Sequence, residues 1–368
     1  MPAEVGSHAP QEERATNIQG EIVVARNVLE TNLGLREGDP LITLVDKDPS
    51  KTQKRLLKVI QGVSQRSGVD LHPVSVSPKG HFSEAKQDME ANRDSYVIDF
   101  SSAYGEEIYK MAKKYGNRII FPLGAGAELF SPTGPMAEDI RTLQERLNRL
   151  EATLKDAVGM HITTPYGTDM SLPLRHLERR WFKETCTDIP AGAYVNWPFG
   201  EIFTTPDERN VNGKLVLLSR DNADGEHSQA KAPIHVNVRD GVITSIQGEE
   251  DARILRKDMA KSAKQDAKDH NNPFDVYRIA EIGIGANSKA KADASATIEA
   301  EKALGTVHLA FGDSQHELEG VEGFKAAASH LDFIIPNAGL SVEVFNHPDD
   351  FAQGRNGWNL FTAGGLNL

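Results

Sequence analysis

The chain has 368 residues, of which 41 are Lys or Arg and 53 are Asp or Glu, so its formal net charge is −12. This acidic balance argues against nucleic acid or an anionic membrane as the main partner. The single cysteine, Cys186, excludes an intrachain disulfide and a zinc ribbon, and no apolar run is long enough to suggest a membrane-spanning helix. The first ten residues lack the basic and apolar regions of a signal peptide, so we expect a short disordered leader and a cytoplasmic protein.

Strands and helices alternate over the first third of the sequence. Short apolar runs predict strands at 41–45, 70–77, 96–100 and 118–122. Helical periodicity predicts helices at 20–38, 50–65 and 106–115. The second of these helices begins at Ser50, a residue type that caps helix N-termini. This alternation predicts an N-terminal α/β domain with a mostly parallel sheet over residues 1–135.

A glycine-rich turn follows the fourth predicted strand. Gly124 and Gly126 resemble the start of a phosphate-binding turn, but the third glycine of that motif is missing. No acidic residue closes a following strand at the expected distance, and the sequence contains no P-loop. A plain turn is the better interpretation, and we predict no nucleotide or dinucleotide cofactor.

Residues 136–158 predict the longest helix in the sequence. Its apolar residues recur at spacings of three and four, with charged residues between them: Ile140, Leu143, Leu147, Leu150 and Leu154. This stripe fits a coiled-coil-like dimer arm, and it fits a helix packed on the sheet equally well. We take residues 136–158 as the helix that connects two domains.

From residue 159 onward the sequence changes to short strands and turns. Arg239-Asp240-Gly241 predicts a hairpin turn, and residues 251–270 predict a charged helix. Residues 346–368 are rich in Gly and Asn and predict a terminal loop and an edge strand. We therefore predict a C-terminal α+β domain over residues 159–368, in which strand pairing is antiparallel.

Side chains able to bind a metal lie on three strand-like runs in this C-terminal domain. Glu281 precedes Ile-Gly-Ile-Gly, and His308 lies in Val-His-Leu-Ala-Phe-Gly. His330 and Asp332 are two residues apart, so on a strand they point to the same face. A carboxylate is costly to bury unless it is paired or binds a cation. Each residue alone fits a core strand with a satisfied polar group, but together they predict a metal site.

Glu201 follows Gly200 and begins another apolar strand. With the four residues above, it makes a set of three carboxylates and two imidazoles. Such ligands suit zinc, manganese, cobalt or iron. Two divalent ions bridged by a carboxylate need about this number of ligands.

Four segments, in this order, resemble the thermophilic aminopeptidase family of metallopeptidases, M29. They are Gly-Glu-Ile-Phe-Thr-Thr-Pro around Glu201, Ala-Glu-Ile-Gly-Ile-Gly around Glu281, Gly-Thr-Val-His-Leu-Ala-Phe-Gly around His308, and His-Leu-Asp from His330 to Asp332. The resemblance implies a homodimer in which these five residues bind two ions of Zn, Co or Mn, one glutamate bridging them. The family carries a tyrosine shortly after its first motif histidine, and no tyrosine follows His308 here.

Our main interpretation is a metal-dependent, aminopeptidase-like hydrolase that cleaves a peptide or amide bond in a small peptide or other small molecule. A metal-activated water would attack the carbonyl, and Glu281 or Glu201 would bind the ions or transfer the proton.

Two alternatives remain open. The same scaffold is used by a ring-cleaving dioxygenase of dihydroxypyridine type with a single non-haem iron. In that case His308, His330 and Asp332 form the ligand triad, and Glu281 and Glu201 lie around it or transfer protons. A carboxylate at position 281 favours two hard divalent ions over this arrangement. The last alternative is a catalytically silent dimer that still binds metal.

Overall fold

The structure is a computed structural model that describes residues 18–367, apart from 78–81, 103–105, 123, 125, 127, 223–224, 270, 316–322, 324–326 and 363. The predicted leader lies outside the described residues. The helices are α1 (Ile18–Asn27), α2 (Lys51–Ser67), α3 (Ser83–Ala91), α4 (Glu106–Tyr115), α5 (Ile140–Leu154), α6 (Glu250–Lys268), α7 (Thr297–Lys302) and α8 (Pro348–Gln353). A π-helical turn, Val28–Asn32, continues α1.

The strands are β1 (Pro40–Asp46), β2 (Asp70–Val76), β3 (Tyr96–Asp99), β4 (Arg118–Phe121), β5 (Gly159–Thr163), β6 (Asp169–Pro173), β7 (Phe182–Glu184), β8 (Tyr194–Asn196), β9 (Glu201–Thr204), β10 (Asn212–Asp221), β11 (His227–Arg239), β12 (Val242–Gln247), β13 (Ile279–Gly285), β14 (Val307–Gly312), β15 (His330–Ile335), β16 (Ser341–Phe345), β17 (Trp358–Thr362) and β18 (Gly365–Leu366). They form three sheets.

The first sheet is parallel and has the order β2-β1-β3-β4-β8. The helix α2 beside it begins with a complete capping box. The Ser50 side chain accepts from the Gln53 backbone N–H, and the Gln53 side chain accepts from the Ser50 backbone N–H. The predicted α/β fold class is therefore confirmed for this region. One strand, β8, comes from beyond residue 159, and the predicted domain boundaries remain a prediction.

The leucine stripe of α5 is buried inside the chain. Ile140, Leu143, Leu147, Leu150 and Leu154 all belong to the main hydrophobic core. The helix contacts β7 and β9. The stripe thus packs on a sheet, and of the two interpretations of its periodicity the packed helix is the one observed.

The other two sheets are antiparallel, as predicted for the C-terminal region. One has eight strands, in the order β12-β11-β10-β6-β5-β16-β17-β18. The other has five strands, in the order β15-β14-β13-β9-β7. The end of the chain differs from the prediction of a loop and one edge strand, because it also contains α8 and a second strand. The short helices α3 and α7 were not predicted, since α7 has too few residues to show helical periodicity and the stripe in α3 is weak.

The order of the five-stranded sheet decides where the functional side chains lie. It makes β9, β13, β14 and β15 consecutive neighbours, although they are far apart in sequence. None of the helices in the described part of the chain combines the length and apolar character needed to cross a bilayer.

Candidate metal centre

Four adjacent strands bring the five predicted metal ligands together. Glu201 begins β9, Glu281 lies in β13, His308 lies in β14, and His330 and Asp332 lie in β15. The register places Glu281, Ala310 and Asp332 in one row across three strands. Residues in one row of a sheet point to the same face, so the carboxylates of Glu281 and Asp332 face each other over the small side chain of Ala310.

Gly283 makes room for the His308 imidazole. These two residues are directly opposite in the β13–β14 ladder. A Cβ atom at position 283 would lie 2.2 Å from both Cε1 and Nε2 of His308. The imidazole therefore lies across the neighbouring strand, where any side chain at position 283 would collide with it.

Each of two carboxylates contacts both histidines. The Nε2 atom of His308 lies 3.0 Å from Glu281 Oε1 and 3.8 Å from Asp332 Oδ1. The Nε2 atom of His330 lies 3.7 Å from Glu281 Oε2 and 3.4 Å from Asp332 Oδ1. An ion about 2.1 Å from each ligand holds neighbouring ligand atoms roughly 3.0–3.4 Å apart. The observed spacings are close to this range, so the donor set fits a divalent metal ion.

Three groups have their ligand atoms within 4.8 Å of one another: Glu201 with Glu281 and His308, Glu281 with His330 and Asp332, and Glu301 with His308 and Asp332. Among the residues that the structure describes, no such group contains both histidines. The triad of His308, His330 and Asp332 expected for the iron alternative is therefore not gathered around one point. Glu281 takes the place of His308 beside the other two residues.

The cluster has a buried side and an open side. The side chain of His308 is fully buried, and those of Glu201 and Glu281 are nearly so. By contrast, the side chain of His330 is 31% exposed and that of Asp332 is 16% exposed. A ligand from solvent therefore reaches the group of Glu281, His330 and Asp332 first.

Lys302 is a buried residue beside the cluster that the sequence did not lead us to expect. It ends α7, its side chain is only 2% exposed, and its Nζ atom contacts Glu201. The same atom lies 2.9 Å from Glu184 Oε2 and 2.8 Å from Glu301 Oε1. A signal was present, because Glu301 and Lys302 stand beside the apolar run of the His308 motif.

Burial and neighbouring charges shift the pKa values of the cluster. Burial raises the pKa of Glu201 to about 7, although Lys302 and His308 oppose the shift. Burial alone would lower the pKa of His308, but its hydrogen bond to Glu281 and the charge of Glu201 raise it to about 10. His330 behaves likewise: burial lowers its pKa, and Asp332 raises it to about 10. Both imidazoles therefore favour their protonated, positively charged form.

Asp332 and Lys302 keep their charges in this environment. Burial would raise the pKa of Asp332, but His330 and His308 hold it well below its usual range. Burial would lower the pKa of Lys302, but Glu184, Glu201 and Glu301 raise it well above its usual value.

Three side chains that precede Glu201 in the sequence lie in the interior. Trp197 and Phe199 are completely buried and pack in the core. The guanidinium of Arg179 is also buried, lies 2.7 Å from Glu208 Oε2 and donates to the Thr205 carbonyl.

Comparison with known proteins gives one family match. The model of the family described as NicX: 2,5-dihydroxypyridine 5,6-dioxygenase matches residues 79–343. A curated 2,5-dihydroxypyridine 5,6-dioxygenase from Pseudomonas putida strain KT2440 is 30% identical over 178 residues, which are 48% of this chain and 46% of that protein. The aligned segment therefore spans about half the length of the relative.

Two solved structures share the fold over nearly the whole chain. The 2,5-dihydroxypyridine dioxygenase from Pseudomonas putida KT2440 has a TM-score of 0.68 at 20% identity, covering 96% of this chain and 98% of that one. Wild-type AmpT from Thermus thermophilus has a TM-score of 0.63 at 14% identity, covering 95% of this chain and 99% of that one. At these identities the likeness shows the fold alone.

The family match overturns the main interpretation of the sequence. The prediction of an aminopeptidase-like hydrolase and protease is wrong, because the matching family is one of dioxygenases. The resemblance to M29 holds for the fold, and the family match favours the dioxygenases. AmpT is a relative in fold only. The physical reason for the error is that imidazoles and carboxylates on adjacent strands indicate metal binding but do not determine which reaction the metal supports.

Proposed function

The chain belongs to the family of 2,5-dihydroxypyridine 5,6-dioxygenases, and from this premise we propose that it is an iron-dependent dioxygenase that opens a dihydroxylated pyridine ring. The observation that carries the proposal is the extent of the family match, residues 79–343, which includes all five clustered side chains. In this proposal the metal is Fe(II), in place of the Zn, Co or Mn ions expected for a hydrolase.

We assign the ion to Glu281, His330 and Asp332. This group combines one imidazole with two carboxylates, and it lies on the open side of the cluster. Imidazole and carboxylate ligands together suit non-haem iron, and three protein ligands would leave positions for other ligands. When bound, the iron supplies the binding and activation of dioxygen.

A backbone carbonyl sets the orientation of His330. The Nδ1 atom of His330 lies 2.7 Å from the Asp313 carbonyl oxygen. A carbonyl oxygen can only accept, so Nδ1 carries the hydrogen and donates it. The lone pair of the neutral imidazole is then on Nε2, the atom that faces Glu281 and Asp332. Such a contact fixes the ring and its tautomer for metal binding.

Glu201 is placed to take up a proton beside the ion. Glu201 Oε2 lies 3.3 Å from His308 Nε2, and that nitrogen also contacts Glu281. Because burial raises the pKa of Glu201 to about 7, this carboxylate changes its protonation state near neutral pH. A ring hydroxyl that loses its proton on binding would deliver it to the Glu201 carboxylate.

Oxygen uptake tests the proposed reaction. The full chain is loaded with Fe(II) without oxygen, its iron content is measured, and 2,5-dihydroxypyridine is added in a sealed oxygen-electrode cell. We expect equal molar loss of dioxygen and of the ring absorbance, and no uptake with 2-hydroxypyridine, which has a single hydroxyl. Absence of uptake by a chain that holds iron would rule out this substrate class.

The oligomeric state and the location belong to the proposal as well. We propose that the enzyme acts as a homodimer on a small molecule in the cytoplasm, as the sequence led us to expect. Light scattering coupled to size-exclusion chromatography tests the first point, since a monomeric mass at working concentration would contradict it.

A further inference from the structure

The Lys302 ammonium occupies the centre of a buried set of carboxylates. Its Nζ atom lies within 2.9 Å of Glu184 Oε2 and 2.8 Å of Glu301 Oε1, and it also binds Glu201 Oε1. All four side chains are buried. Three carboxylates around one point are the surroundings that a buried cation requires, and here the chain itself supplies the cation.

This ammonium stands next to one of the candidate metal groups. Glu201 uses Oε1 to bind Lys302, and its Oε2 lies 3.3 Å from His308 Nε2. A divalent ion held by Glu201, Glu281 and His308 would therefore share a carboxylate with the ammonium and be repelled by it. The group of Glu281, His330 and Asp332 lies on the open side. The charge of Lys302 helps to lower the pKa of Asp332, but its ion pairs are with Glu184, Glu201 and Glu301.

We propose that Lys302 takes the place of a second metal ion and limits the centre to one divalent ion per chain. The inference rests on the metal centre proposed above and is independent of its reaction. It explains why a cluster of three carboxylates and two imidazoles, which is large enough for two ions, serves a reaction that needs one. Lys302 is thus a positioning residue: it holds Glu201 and balances its charge.

The consequence for charge is direct. Glu184, Glu201 and Glu301 bring three carboxylates into a space closed to solvent, and Lys302 brings one positive charge. Replacing Lys302 by a neutral side chain leaves these carboxylates without their cation. The carboxylates then attract a divalent ion to the Glu201–Glu281–His308 group, because the ammonium that repelled the ion is gone.

Metal stoichiometry tests the inference without any assay of activity. The wild-type chain and Lys302→Gln are dialysed to equilibrium against Mn²⁺ alone, and bound manganese per chain is measured by elemental analysis. We expect one ion per wild-type chain and two per Lys302→Gln chain, the second raising the melting temperature of the variant. Lys302→Arg retains the charge and is the matched control, with one ion expected.

The outcomes separate the two claims. Two ions per wild-type chain, or one ion in a folded Lys302→Gln chain, would overturn the role of Lys302. No ion in the wild-type chain would overturn the metal centre itself. If Lys302→Gln stays unfolded even with Mn²⁺, Glu201→Gln decides: it keeps Lys302 and leaves Glu281, His330 and Asp332 intact, so one ion is expected, and loss of that ion would overturn the inference.

Discussion

His308 lies across the β-ladder from Gly283, and its imidazole fills the space that a side chain at position 283 would need. The added Cβ would come within 2.2 Å of two ring atoms. Since His308 Nε2 contacts Glu201, Glu281 and Asp332, the arrangement of the whole cluster depends on this one missing side chain.

We expect Gly283→Ala to disturb the metal centre more than the fold. The methyl group pushes the imidazole out of its position, which should weaken Mn²⁺ affinity by roughly 10–100-fold, the usual cost of losing support for a metal ligand. Equilibrium dialysis measures the affinity, and circular dichroism checks the fold. Gly365→Ala is the matched control, because its added carbon meets nothing closer than the Thr362 carbonyl at 3.4 Å. Equal affinities in the two variants would contradict the account.

His330→Ala and Asp332→Ala should each lose the bound metal while the fold survives. Both side chains belong to the proposed ligand group and are partly exposed, so their removal costs little packing. The control is His161→Ala, which removes a histidine that pairs with Asp169 on the eight-stranded sheet. Elemental analysis of dialysed protein should show full metal content in the control only. Full content in both site variants would refute the assignment.

Metal binding should release protons. The pKa values of His308 and His330 are raised to about 10, so both rings are protonated at neutral pH before an ion binds. A histidine must be neutral to bind a metal, so binding of the ion releases at least about one proton, which comes from His330. The affinity for the metal therefore rises with pH. Calorimetric titration with Mn²⁺ in buffers of different ionisation enthalpy measures this release. A binding heat that is the same in every buffer would count against protonated ligands.

Asp99 should make the fold less stable as the pH rises. Burial raises its pKa from 3.8 to about 6, and its Oδ2 atom has no hydrogen-bond partner among the described residues. A carboxyl with a raised pKa stabilises the fold below the unfolded-state pKa, and this contribution is lost as the pH rises through about 6. Relative to Asp99→Asn, the wild-type free energy of unfolding should fall by on the order of 3 kcal/mol between acidic and neutral pH. Urea denaturation across that range tests this, and parallel profiles would contradict it.

Leu147→Ala should destabilise the monomer fold and leave oligomeric state unchanged. Leu147 is fully buried on the face of α5 that packs within the chain. Truncation of a buried leucine costs about 2–5 kcal/mol. The control is Arg141→Ala, at an exposed position of the same helix. A Leu147→Ala chain that keeps its stability and loses self-association would restore the dimer-arm interpretation.

Much of the fold could be predicted from local sequence patterns. The cap at Ser50 and the alternation of strands and helices follow from side chains close in sequence, and the structure contains both. The five clustered residues were also visible, because a charged residue inside an apolar strand is conspicuous without any knowledge of the pairing.

Long-range pairing was beyond the reach of such patterns. Lys302 lies 101 residues from Glu201, and no periodicity predicts that they meet in the core. The same holds for β8, which joins a sheet built from a distant part of the chain. The reaction also lay beyond local patterns, since one fold can host many reactions and a set of metal ligands does not fix which one occurs.

The most direct test of the proposed reaction follows the oxygen atoms. The Fe(II)-loaded chain is given 2,5-dihydroxypyridine under dioxygen labelled with oxygen-18, and the mass of the product is measured by mass spectrometry. A ring-cleaving dioxygenase places both labelled atoms in the ring-opened product, and this is the result we predict. A product with one labelled atom or none, or an intact ring, would contradict the account.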